Sequence, residues 1–148
     1  MAGLPYQIFV SHIHEERDLA IAIKNTIEDC FLGSVRVFVS SDTGDLRSGD
    51  DWFERIAGTL REAQMVVLIL SDVSISRPWI NFEAGAAWFT GTHTVLPVCV
   101  GGMQISRLPP PFHRKQALQL GGPPDFDRLS RRSRATPVCV CRAVILLQ

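Results

Sequence analysis

Apolar and polar positions along the chain alternate between two periods. Ile8-Phe9-Val10 is a short apolar run that reads as a buried strand ending at Ser11-His12. From Asp18 to Phe31 the pattern becomes helical. Leu19, Ile23, Ile27 and Cys30 share one stripe, while Glu16, Lys24 and Asp29 are assigned elsewhere. Gly33 is expected to close that helix. Val35–Val39 predicts a second strand, 40–51 a polar loop with Gly44 and Gly49, and 52–60 a second amphipathic helix. Met65–Leu70 is uninterrupted apolar sequence, as expected for a central parallel strand covered on both faces. Pro78 suits the first turn of a third helix that runs to about Phe89. Thr94–Val100 predicts a fourth strand, against which Pro97 counts. Residues 116–120 suggest a fifth strand and 125–132 the start of a fourth helix.

Strands separated by helices of this length imply right-handed βαβ units. The expected fold is therefore α/β, a flavodoxin-like doubly wound sheet of about five mostly parallel strands with helices on both faces. Such sheets carry their sites at the carboxyl ends of the strands. Attention falls on Ser11-His12, the 40–51 loop, Ser71-Asp72 and the start of the third helix.

At 148 residues the chain has room for one domain. Fifteen basic residues balance fifteen acidic ones, which argues against nucleic-acid binding by general basicity. The balance is uneven along the chain: residues 1–100 are acidic, and the basic excess lies in 101–148, with Arg128, Arg131, Arg132 and Arg134 clustered. No apolar run approaches the roughly 20 residues of a membrane helix, and no secretory leader pattern opens the sequence. Cys30 and Cys99 lie among apolar residues and read as core positions. The expected setting is reducing, soluble and cytoplasmic.

Several chemistries can be set aside. No GxGxxG or GxxxxGK[ST] occurs, so a dinucleotide cofactor fingerprint and a P-loop are both missing. A phospho-receiver would need an acidic cluster where Ser11-His12 stands. His12, His14, Glu15 and Glu16 resemble half of a metal site, but no second ligand group stands at a fitting spacing, and no metal is expected. Acids in a first helical turn account for Glu15 and Glu16 without a metal. Cys139-Val140-Cys141 is an isolated CxC, and no G-x-S-x-G elbow marks a serine hydrolase.

The third helix is the most informative segment. Trp79 and Glu83 are four residues apart and share a face. Ile80 and Ala87 flank Glu83 on the helix surface, and Ala84-Gly85-Ala86-Ala87 allows close packing. A carboxylate there costs free energy to desolvate. Either it reaches solvent or an arginine, or it serves a ligand at the strand ends.

In order along the chain, Ile8-Phe9-Val10-Ser11-His12, Val37-Phe38-Val39-Ser40-Ser41-Asp42 with Gly44 and Gly49, Trp79-x-x-x-Glu83, Leu96-Pro97-Val98 and Leu108-Pro109-Pro110-Pro111 resemble a TIR (Toll/interleukin-receptor/resistance-protein) domain of the bacterial kind. The likeness spans about 6–132, giving a TIR domain over 1–132. Residues 133–148 form a divergent tail in which Val138–Leu147 is β-rich and has no counterpart in the family. The resemblance implies an NAD⁺ nucleosidase that cleaves the nicotinamide–ribose bond and forms ADP-ribose or its cyclic form, in antiviral defence or signalling. Glu83 would be catalytic. Ser11, His12, Asp45, Arg47 and Trp79 would bind substrate, with the 42–51 loop gating the site or completing it in a neighbouring subunit. NAD⁺ would be substrate rather than cofactor, and TIR–TIR contacts would assemble a homo-oligomer. Two alternatives stay open: a non-enzymatic TIR interaction module, and a nucleoside transferase with a strand-end glutamate.

Overall fold

A computed structural model of the chain describes residues 5–40, 50–89 and 94–120. Five parallel strands, β1 (Tyr6–Ser11), β2 (Val35–Val39), β3 (Met65–Leu70), β4 (Thr94–Cys99) and β5 (Leu118–Gln119), form one sheet in the order β2-β1-β3-β4-β5. Helices α1 (Arg17–Phe31), α2 (Asp50–Glu62) and α3 (Pro78–Phe89) connect the first four strands. The fold is the expected flavodoxin-like one, with the chain reversing its winding direction between β1 and β3. The expected helix over 125–132, the tail 133–148 and its cysteines lie outside the described residues.

Side chains leave alternate faces of each strand, which divides the core in two. Ile8 and Val10 of β1 and Met65, Val67 and Ile69 of β3 pack on one face with Leu19, Ile23 and Ile27 of α1. Phe9, Val66, Leu68 and Leu70 pack on the other with Ile56 and Leu60 of α2 and Ile80, Ala84 and Ala87 of α3. Every residue of β3 is buried, as its unbroken apolar run requires. Ser11 follows Phe9 by two, so it faces the α2/α3 side.

The edge strand β2 is blunted by side chains from α1. Glu28 accepts the Val37 N–H at 2.9 Å, and Lys24 Nζ donates to the Val37 carbonyl at 2.7 Å. Backbone groups that an edge would leave open to another chain are thereby occupied.

The structure differs from the sequence reading at several positions. The left-handed turn after α1 begins at Leu32 (φ 47°), ahead of Gly33 (φ 85°). Pro97 is accommodated inside β4. Val100 N–H bonds to Leu70 on the β3 side, whereas the Cys99 carbonyl accepts from Leu120 on the β5 side. Pro97 shares the parity of Cys99, so its missing N–H faces β5, where pairing starts only at Val98. Cys99 is buried, but Cys30 is exposed in the last turn of α1 and is disulfide-bonded, contrary to the core position its neighbours suggest. Glu16 is buried at 6% exposure. It precedes Leu19 by three residues and Ile23 by seven, so it heads the apolar stripe rather than avoiding it.

Candidate functional site at the carboxyl ends of β1 and β3

Helix α3 is held with Ile80, Glu83, Ala84 and Ala87 against the sheet. Alanines at 84 and 87 bring its axis close to the strands, so the glutamate at the same level is covered as well. Glu83 has 0% exposure. Its Oε2 accepts a hydrogen bond from the Ser11 hydroxyl at the end of β1. Its Oε1 has no hydrogen-bond partner among the described residues. Burial pushes the carboxyl up from 4.5 to about 7, an effect that the Ser11 hydroxyl and the Trp79 indole N–H only partly offset. Desolvation dominates because no cation contributes to the shift. Arg77, the nearest arginine in sequence, pairs with Glu15 at 3.0 Å instead.

Trp79 is partly buried and stacks on exposed Phe82 with ring centroids 5.6 Å apart. It belongs both to the core margin and to the Glu83 neighbourhood. His12 is buried at the end of β1, with Nδ1 2.6 Å from the Ile13 carbonyl. The structure therefore gathers Ser11, Trp79 and Glu83 around one carboxyl group and sets His12 directly after Ser11. Asp45 and Arg47 lie outside the described residues.

Residues of the imagined metal half-site diverge. Glu15 turns to Arg77, Glu16 is buried at the head of the α1 stripe, and His14 is exposed. Among the described residues, no three His, Cys, Asp or Glu side chains stand together as a metal site would need.

Glu16, placed off the apolar stripe by the sequence reading, is a second buried carboxyl at the same end of the sheet, while Ser71, at a strand end to which the fold class drew attention, is part-buried and bonds to Ser74. Burial raises the Glu16 carboxyl above its ordinary value against the lowering effect of the Ser71 hydroxyl. The available signal was the coincidence of Glu16 with the α1 stripe.

An apolar cavity of 390 Å³ lies on the opposite flank of α3, lined by Asn81, Ala84, Gly85, Trp88, Pro111 and Phe112. Glu83 is not among its walls. Among the described residues it has no ionisable wall residue, so the chemistry stays with the Glu83 cluster.

A doubly wound domain with a buried carboxyl at its winding reversal defines the class of protein. The family model of the TIR domain matches residues 8–132, and the chain belongs to the TIR domain family. No curated protein sequence matches significantly. Among solved structures, the chain is similar to a metazoan TIR-STING receptor from C. gigas in complex with 2′,3′-cGAMP. The TM-score is 0.68 at 19% identity, covering 96% of this chain and 42% of the receptor. At that identity the likeness concerns the fold. The chain spans less than half of the receptor's length. Among the described residues no helix is long and apolar enough to cross a membrane.

Proposed function

We propose that this TIR domain is an NAD⁺ glycohydrolase or cyclase in which Glu83 is the catalytic carboxylate. The observation that carries the reading is the Glu83 carboxyl itself. It is desolvated, held at Oε2 by Ser11 and without a described partner at Oε1. A structural glutamate gains nothing from that combination, whereas a ligand hydroxyl would satisfy Oε1.

Nicotinamide in NAD⁺ is a cationic pyridinium. When the bond to ribose C1′ breaks, the electron pair goes to the ring nitrogen and nicotinamide leaves neutral. No acid is needed for its departure, unlike the two-carboxylate arrangement of ordinary glycosidases. Positive charge moves onto the ribose, and an ionised Glu83 in a dry site stabilises it electrostatically. A carboxyl titrating at about 7 is partly ionised at neutral pH. The cationic substrate favours the charged form further. Ser11 fixes the carboxylate, so little reorganisation accompanies the reaction. Water adding at C1′ releases a proton and gives ADP-ribose; attack by another atom of the same molecule gives a cyclic product. NAD⁺ is thus a substrate, not a resident cofactor. Trp79 and His12 would border it, and Asp45 and Arg47 would complete the site across a TIR–TIR contact in a homo-oligomer. Consumption of NAD⁺ would serve signalling or antiviral defence in the cytoplasm, by draining the dinucleotide or releasing a nucleotide signal.

One observation favours the interaction-module reading: Glu83 has no exposed surface in this state, so substrate must displace a cover before reaching it. Nicotinamide release by the purified protein separates the two. Release that Glu83→Gln and Glu83→Ala abolish is expected. No release by wild type, even at high protein concentration, would leave the interaction module. Activity surviving both substitutions would remove Glu83 from the mechanism. Cleavage of free nucleosides with NAD⁺ left intact would point to the nucleoside transferase.

A further inference from the structure

The cavity beside α3 takes no part in the mechanism above. Its volume of 390 Å³ accommodates a compact organic molecule, and Glu83 is not among its walls. Two of its walls are aromatic: the Trp88 and Phe112 ring centroids lie 6.2 Å apart at an interplanar angle of 65°. An edge-to-face pair of this kind leaves ring surface for a flat apolar guest.

Gly85 lines the same space. Close packing on the sheet accounts for Ala84 and Ala87, which are buried, but not for Gly85. A Cβ added there would meet nothing within 4 Å. Glycine weakens a helix interior relative to alanine, so at this position it costs helix stability and leaves volume open.

The charge beside the cavity has one sign. Residues 101–120, which supply Pro111 and Phe112, contain no Asp or Glu. Arg107 of this stretch pairs with Asp72 at 3.2 Å. Lys115 follows the 3₁₀ turn Phe112–Arg114, and its Nζ stands 5.0 Å from the Trp88 ring centroid. Among the described residues no carboxylate pairs with it. Asn81, the polar wall residue, spends its amide N–H groups on the Ile75 and Arg77 carbonyls. It therefore offers a guest an acceptor, and the cation for an anionic guest is Lys115.

We propose that this cavity binds a small aromatic carboxylate. The ring lies against Trp88, Phe112 and Pro111 in the space that Gly85 keeps open, and the carboxylate meets the Lys115 ammonium. The proposal does not depend on NAD⁺ cleavage, since the walls exclude Glu83.

Calorimetric titration of the full chain with 2-naphthoate, and with its neutral counterpart 2-naphthamide, tests it. One saturable site is expected, with the amide weaker by about threefold or more. Lys115→Gln should bring 2-naphthoate down to the level of the amide and leave the amide unchanged. Gly85→Leu should weaken both probes about tenfold or more while unfolding no earlier than wild type. If that variant does not fold, Gly85→Ala decides: it should unfold later than wild type yet bind both probes more weakly. Glu83→Gln should bind 2-naphthoate as wild type does. No saturable binding, or equal binding of the two probes, would overturn the proposal. So would affinity that the folded Gly85 variants retain, or affinity lost in Glu83→Gln, which would put the probe in the Glu83 site. If 2-naphthoate acted only by shifting the protein between monomer and oligomer in sedimentation, the cavity would belong to a contact between copies and the proposal would fall.

Discussion

The two faces of the sheet solve different problems with the same strands. On the α1 face, Ile8, Val10, Met65, Val67 and Ile69 meet Leu19, Ile23 and Ile27, with the buried Glu16 only at the head of the α1 stripe. On the α3 face, Phe9, Val66, Leu68 and Leu70 meet Ile80, Ala84 and Ala87, but a glutamate is buried at the same level. The first face follows the rule that burial of apolar area drives folding. The second departs from it within the helix contact itself, at the fully buried Glu83, and that residue adjoins the strand ends where such folds bind ligands. Local violations of folding rules concentrate where function is carried. The contrast therefore separates what holds this TIR domain together from what it can act with.

The largest effect should come from the α1 face. Ile27 is fully buried there, and Ile27→Ala should cost about 2–5 kcal/mol through lost transfer energy and a residual cavity. Urea unfolding measures it. Nicotinamide release per folded molecule should stay at the wild-type rate; a loss of catalysis without unfolding would break the separation of the faces.

Next comes Glu83→Gln, with an effect of opposite sign. The folded carboxyl titrates at about 7 against an ordinary 4.5. Below 4.5 it is protonated in both the folded and unfolded states, and folding pays no ionic penalty. Between the two values the unfolded chain loses its proton first, so stability falls as pH rises, and the loss is complete above about 7. The interval corresponds to about 3 kcal/mol. Glu83→Gln should match wild type below pH 4.5 and exceed it by about this amount above 7, while abolishing catalysis. Denaturant midpoints across pH test this. Parallel pH profiles for the two proteins would mean that Glu83 is solvated after all.

Sequence patterning reveals the two faces unequally. The α1 stripe and the β3 run are legible because periodicity reports burial directly, and Trp79-x-x-x-Glu83 is legible because an acid flanked by Ile80 and Ala87 stands out. Whether that acid reaches solvent or a partner depends on Ser11, 72 positions away, and no local pattern encodes the pairing. Glu16 was hidden for a different reason. An acid in a first helical turn has a sufficient explanation in the helix dipole, although its spacing from Leu19 and Ile23 also places it on the buried stripe. Ser71 stands at a strand end that the fold class marks in advance, but its bonds to Ser74 are encoded by no local pattern. Pro97 counts against a strand until neighbouring strands reveal which side its nitrogen faces.

A smaller effect is expected from Ser11→Ala, which tests whether the departure on the α3 face is managed. Above pH 7 the ionised Glu83 would lose the hydroxyl that donates to its Oε2, at a cost of about 1–3 kcal/mol. At low pH, with the carboxyl protonated, the cost should shrink. Glu83 should then titrate higher than in wild type, so the rise of kcat/KM with pH should move to higher pH. Calorimetry at two pH values and a kinetic pH profile suffice. A pH-independent cost would assign Ser11 a packing role alone.

The smallest effect should come from Arg77→Ala. Arg77 and Glu15 lie 3.0 Å apart with side chains 50% and 58% exposed, so water and salt screen their attraction. Pairs of this kind contribute about 0–1 kcal/mol, and the lower half of that range is expected here. The pair nonetheless ties the turn after β1 to the residue before α3, the helix that carries Glu83. If the buried contacts of Ile80, Ala84 and Ala87 seat α3, Arg77→Ala should leave both the Glu83 titration and its salt dependence near wild type, while Ser11→Ala shifts the titration. Should Arg77→Ala instead displace the Glu83 midpoint as far as Ser11→Ala does, the seating of α3 would reside in the solvent-facing pair. Raising the salt concentration would then weaken the contact at the centre of the site, and the boundary between a structural α1 face and a reactive α3 face would extend out to the rim.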